Sequence, residues 1–155
     1  MTNNDVLRSL RSTLSMNDGK IKAVFASADT EVERSAVKAW LAQENDPGYR
    51  NCSDRHLAIF LNGLINEQRG RREGAQPAPE KSLDNNIILR KLKIAFKLES
   101  GEMRAILNLA GKRISQHELS AFFRRPGHKH YRECGDQILR SFLKGLYLTF
   151  HPDKA

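Results

Sequence analysis

The sequence predicts an all-α protein made of two tandem repeats of a roughly four-helix unit with helix-turn-helix-like character. Two observations carry this. Aligning Asn3-Asn4 with Asn85-Asn86 sets an offset that runs without a gap from Asn3 to Asn66, with about 18 identities in roughly 64 pairs. Within each copy the apolar residues recur at three and four, the helical period, and no strand-like alternation appears.

In the first predicted helix Leu7, Leu10 and Leu14 match Leu89, Leu92 and Phe96, while Arg90, Lys93 and Lys97 fill a neighbouring polar stripe. Met103, Ile106, Leu107 and Ala110 mark the second helix, which stops at Gly111, a residue suited to the left-handed position past a helix end. The first copy has Ala28-Asp29 there, a departure from the Ala110-Gly111 turn. The third helix has the strongest start signal. Ser115 and Glu118 have the spacing of a capping box, and Ile114 with Leu119 that of a hydrophobic staple. The first copy keeps the staple as Val32 and Val37 but places Glu33 at the cap. A polar segment containing Pro47 or Pro126 leads to the fourth helix, with Leu57, Phe60, Leu61 and Leu64 matching Leu139, Phe142, Leu143 and Leu146. Ser53 and Gly135 fit its N-cap, which puts Cys52 and Cys134 at a staple position. Gly63 and Gly145, unfavourable inside a helix, mark close helix contact.

The expected organisation is a first repeat over 1–68, a linker over 69–84 whose Pro77 and Pro79 disfavour helix and whose Gly70 and Gly74 loosen the chain, and a second repeat over 85–150. No apolar run approaches the roughly 20 residues of a membrane span, and the expected location is the cytoplasm, with no membrane partner. Structural disulfides are not expected there.

Charge separates the copies. Lys plus Arg against Asp plus Glu is 9 to 9 over 1–70, 3 to 3 over 71–84 and 14 to 6 over 85–155, so the whole net charge of +8 lies in the second copy. An excess of that kind points to an anionic partner, nucleic acid first. The hairpin around Gly111 is the expected reader. Gln116, His117 and Ser120 would face base edges, and Lys112, Arg113, Arg124 and Arg125 would hold phosphates. The loop FFRRPGHKHYREC adds Lys129 and Arg132 beside Tyr131, an arrangement suited to RNA or a single strand. RGRR in the linker adds further cations. DNA is the expected partner, with RNA through residues 124–132 as one alternative and a protein-interaction adaptor as the other. The neutral first repeat would pack, dimerise or recruit a protein.

His128, His130 and Cys134 are metal-ligand types at close spacing, but the first copy keeps only the cysteine and no fourth ligand is apparent, so no metal is expected. No phosphate-binding glycine loop, nucleophile elbow or catalytic carboxylate pair occurs, and His56 and His117 read as surface or cap-region residues. The expectation is a non-enzymatic protein without a cofactor.

The segments TNNDVLRSLR, DPGYRNCSD, FLNGL, RGRREGAQPAPEK, NNIILRKLKIA and ISQHELSAFFRRPGHKHYRECGDQILRSFLKGL cover nearly the whole chain. They resemble the YehS-like family of small bacterial proteins, in which two copies of one helical domain of unknown function are joined by a linker. The resemblance implies an all-α fold and a bacterial origin and supplies no catalytic residue or ligand.

Overall fold

The computed structural model describes residues 1–155. It holds eight α-helices and a terminal 3-10 turn, with no strand. The first unit comprises α1 (Asn3–Thr13), α2 (Asp18–Ser27), α3 (Arg34–Leu41) and α4 (Asp54–Arg69). The second comprises α5 (Asn85–Ala95), α6 (Ser100–Leu109), α7 (Gln116–Phe122) and α8 (Asp136–Phe150). Every helix of one unit begins at the position matching its counterpart in the other, as an alignment without gaps requires.

Within a unit, α2 lies along α4 and α6 along α8, with α3 and α7 closing the outer side. The first helix behaves differently. α1 packs chiefly on α8 of the other unit, and α5 packs chiefly on α4. Four helices, α1, α4, α5 and α8, therefore form a crossed central layer around an approximate twofold, and the α2–α3 and α6–α7 hairpins flank it. One cluster of 31 buried residues, drawn from both units, fills the interior. Burial of this apolar surface is the main force holding the units together.

The close contacts expected at the helical glycines are present. A Cβ at Gly63 would stand 2.0 Å from the Val24 carbonyl oxygen, and one at Gly145 would stand 1.9 Å from that of Ile106. Backbone occupies the space, so no rotamer change relieves the clash. The predicted third-helix cap also forms. Ser115 Oγ accepts from Glu118 N at 3.1 Å, and Ser115 N donates to Glu118 at 3.0 Å. Glu33 makes no side-chain cap bond, leaving α3 with the staple alone.

A paired polar lattice locks the long loops. Asn4 is buried; its Nδ2 donates to the carbonyls of Trp40 and Arg50, and its Oδ1 accepts from Cys52 N. Asn86 repeats this with Phe122, Arg132 and Cys134 at 3.0, 2.8 and 2.8 Å. The preceding asparagines reach the start of the last helix: Asn3 Nδ2 donates to Asp54 at 2.7 Å, and Asn85 Nδ2 to Asp136 at 2.8 Å. The second oxygen of each aspartate crosses between units. Asp54 Oδ2 accepts from Leu83 N at 2.9 Å, and Asp136 Oδ2 from the Met1 nitrogen at 3.0 Å.

Two sequence readings need correction. Asp29, expected to depart from the Gly111 turn, keeps it: Asp29 has φ +58° and Gly111 φ +80°, with matching backbone bonds from Thr30 N to Phe25 O and from Lys112 N to Leu107 O. Aspartate is among the residues that best tolerate this region. The linker over 69–84 is helix-free after Arg69, yet not loose. Arg71 pairs with Asp29 at 2.7 Å and donates to Ser27 O, Gln76 accepts from Asn66, and Glu80 lies 3.0 Å from Lys91 Nζ. Glycine and proline spacing showed the absence of helix but not these side-chain anchors.

His56 shows a further use of the cap. Its Nδ1 lies 2.8 Å from Ser53 Oγ, and its ring centroid lies 5.0 Å from that of Trp40. Burial, with Arg55 nearby, holds its pKa below the ordinary 6.5.

Three predictions follow from this packing. Gly63→Ala and Gly145→Ala should each destabilise by about 3 kcal/mol in urea unfolding, whereas Gly101→Ala, where a Cβ meets open space, should gain about 0.5 kcal/mol. Equal effects at all three positions would contradict the contact argument. Asn86→Ala leaves one amide and two carbonyls unpaired, so a loss of about 3 kcal/mol is expected, with faster hydrogen exchange at the Cys134 amide. For His56 the folded pKa lies below the unfolded one. Its contribution is therefore present above about pH 6.5 and is lost as pH falls through the region just below. Melting temperature should drop between about pH 7.5 and about pH 5.5, and less so in His56→Gln.

Candidate nucleic-acid interface

The lattice around Asn86 fixes the segment between α7 and α8. Arg132 N donates to Ala121 O at 3.2 Å, and Tyr131 N to His128 O at 2.9 Å, so the loop folds back along α7. The result is a concavity of about 790 Å³. His117 and Ser120 lie on its helix side, and Arg124, Lys129 and Arg132 on its loop side. Tyr131, His130, Ala121 and one acid, Glu118, complete the lining. Leu119 and Phe122 are buried and hold α7 to the core, while Gln116 and His117 are exposed and Ser120 is half-buried. Gln116 Nε2 lies 3.3 Å from Ser120 Oγ, one turn apart.

Five of the nine expected site residues thus share one surface. Lys112 and Arg113 belong to another, a groove of about 400 Å³ between α6 and the turn that they share with Arg104. Arg125 is exposed but outside the concavity. Arg104, which donates to Ile114 O at 3.1 Å, was not marked by the sequence, because only the turn at Gly111 brings α6 beside Lys112. Lys93 was also missed as a site residue; its Nζ sits 5.5 Å from the centre of the Phe123 ring, adding a cation beside the loop. Two of the three RGRR cations are already engaged: besides Arg71, Arg69 donates to Ile94 O at 3.0 Å, while the Arg72 side chain has no partner.

The α6–α7 hairpin differs in proportion from the expected reader. Six residues, Ala110 to Ser115, separate the helices, against about three or four in a helix-turn-helix, and α7 has seven residues. The same spacing separates α2 from α3, so the hairpin belongs to the common scaffold. The charge does not.

Of 14 lysines and arginines after residue 84, only Lys91 lies within ion-pair reach of a carboxylate, that of Glu80 in the linker. The six acids of this region are all exposed, and three of them are engaged by amides or by the chain's α-ammonium rather than by lysine or arginine. Glu102 and Glu118 accept from the backbone of their own helix starts, and Asp136 holds Asn85 and the Met1 nitrogen. The Ser115 hydrogen bonds hold the Glu118 carboxyl below its usual range, and the Asn85 amide does the same for Asp136. These carboxylates bond to helix starts, and none lies within ion-pair reach of a lysine or arginine, although Glu118 shares the concavity with Arg132.

Tyr131 and Tyr49 are both half-buried, so the ring itself is part of the scaffold while one side of Tyr131 lines the concavity. His128 Nδ1 accepts from His130 N at 3.0 Å, and Cys134 is buried, its thiol pushed up to about 12 chiefly by burial and then by Asp136. Cys52 is held the same way. Nowhere do three His, Cys, Asp or Glu side chains converge in a geometry for a metal ion. No helix is long and apolar enough to cross a membrane.

Comparison with known proteins agrees with the duplicated architecture. No solved structure matches the chain. The chain is 44% identical over 157 residues to the uncharacterized protein YehS of Escherichia coli strain K12, covering 100% of both chains. A family model described as protein of unknown function (DUF1456) matches twice, over residues 3–70 and 85–150, the two helical units seen in the fold. With both units matched, this chain belongs to the DUF1456 family.

Proposed function

We propose that this protein is a non-enzymatic nucleic-acid-binding protein whose second unit makes the contacts. One observation carries the reading: thirteen of the fourteen cations after residue 84 have no carboxylate partner, although the unit contains six acids. Unpaired cations concentrated on one half of a protein attract a polyanion and release its counterions on contact.

Duplex DNA is the favoured form, and the protein's role would be regulatory. A helix of seven residues is about 10 Å long, close to the roughly 12 Å width of a major groove. Gln116, His117 and Ser120 offer polar groups along α7. Lys112 and Arg113 precede α7, Arg124 follows it, and Lys129 and Arg132 lie along its side in the returning loop, so phosphate contacts are available around the helix. The concavity beside Tyr131 favours a second reading, RNA or a single strand laid along the loop, because it sets an aromatic ring among the same cations.

Fluorescence anisotropy with duplex DNA, single-stranded DNA and RNA across a salt series tests this. Binding should weaken steeply with salt, and reversing Arg124, Arg125 and Lys129 to glutamate should cost about a hundredfold or more in affinity with the helical content unchanged. Absence of binding at low salt, or binding indifferent to salt, refutes the proposal. Tighter binding of RNA than of duplex DNA would move the site from α7 to the loop.

A further inference from the structure

The approximate twofold is broken at one place where the units meet. Between α4, the linker and α5 lies a cleft of about 480 Å³, inside the size range of small-molecule sites. Four cations line it, Arg69, Arg72, Arg90 and Lys91, against the single acid Glu80. Ile65, Ile87 and Ile94 give it an apolar wall.

Comparison of matching positions shows how the first unit silences the same features. Arg8 is the counterpart of Arg90, and it is closed off by Asp5 at 2.6 Å and by Ala42 O at 2.8 Å. The position of Asp5 is occupied in the second unit by Ile87. One replacement therefore removes the carboxylate that would neutralise Arg90 and supplies apolar surface to the cleft. Arg90 is half-buried and makes no hydrogen bond or ion pair; the Arg72 side chain makes none either.

The floor of the cleft is polar and buried. Asn62 is 9% exposed, and its Oδ1 accepts from Lys91 Nζ at 2.5 Å, leaving its Nδ2 with no partner at the cleft. Lys91 is held between that asparagine and Glu80, so the linker is part of the wall rather than a strand passing over it. Arg69 directs one nitrogen to Ile94 O and retains its charge. Unpaired guanidinium groups beside the accessible Nδ2 donor of Asn62 match the oxygens of a phosphate, and the isoleucines match an organic body attached to it.

We propose that this inter-unit cleft binds a small phosphorylated organic molecule, with Arg72 and Arg90 gripping the phosphate, Asn62 donating to it, and Ile65, Ile87 and Ile94 covering the remainder. The site is separate from the α7 surface and does not rest on the nucleic-acid reading.

Calorimetric titration of the full chain with adenosine monophosphate and with inorganic phosphate tests it, the first probe carrying a phosphate and a flat organic body and the second a phosphate alone. Adenosine monophosphate should bind saturably at one site per chain and more tightly than inorganic phosphate. Arg72→Ala and Arg90→Ala should each weaken it about tenfold or more while leaving the melting temperature of the free protein unchanged, since neither side chain is bonded within the fold. The triple reversal of Arg124, Arg125 and Lys129 should leave this binding intact. The assignment is overturned if neither probe gives a saturable signal, if inorganic phosphate binds as tightly as the nucleotide, if both arginine variants bind normally, or if the triple reversal abolishes binding.

Discussion

Two aspartates, Asp54 and Asp136, tie the molecule together by accepting from both units at once. One oxygen of each takes the amide of an asparagine in its own unit's first helix, and the other takes a nitrogen just ahead of the opposite unit's first helix, the Leu83 amide or the Met1 α-ammonium. This places the start of each fourth helix, the loop before it and the opposite first helix in one frame. A carboxylate there also complements the positive end of the helix dipole. The neighbouring asparagines, Asn4 and Asn86, complete the frame by pairing three backbone groups that would otherwise be buried without partners. Polar bonds of this kind add modest net stability, but they penalise any arrangement that leaves them unmade, and so specify one crossed packing of otherwise similar helices.

Because this frame uses neutral amides, two aspartates and backbone, the fold asks little of the remaining charges. The second unit exploits that freedom. Positions that close ion pairs or tether the linker in the first unit carry different side chains in the second: Asp5 becomes Ile87, and Asp29 becomes Gly111. Asp29 holds Arg71 and draws the linker onto the first unit; Gly111 leaves its turn bare, beside Lys112 and Arg113. The same backbone thus serves as a tethered, neutral support in one copy and as an open, cationic surface in the other.

The helices were legible because their period, caps and staples are local. Ser115 with Glu118, the paired glycines in the fourth helices and the left-handed turn at Gly111 each announce themselves within a few residues of sequence. The crossed packing was not legible. Asn3, Asn4, Asn85 and Asn86 served to align the copies, yet their partners lie between 36 and 51 residues away, and no periodicity encodes such a distance. The candidate site was legible in part for the same reason. Arg124, Lys129 and Arg132 fall close together in one loop, whereas Arg104 joins Lys112 only through a folded turn, and the cleft around Arg90 needs α4, the linker and α5 at once.

Folding gives no reason for the charge of the second unit. Crowding like charges on one half of a compact molecule destabilises it through self-repulsion, and the first unit shows that the same backbone forms with balanced charge. Solubility gives no reason either, since both signs of charge keep a surface wet, and added acids serve that end better than added bases. Three of the acids that the second unit does contain bond to helix starts or to the Asn85 amide, and of its basic side chains only Lys91 has a carboxylate within ion-pair reach. The polyanion proposed as this protein's partner would supply the negative charge that the second unit lacks.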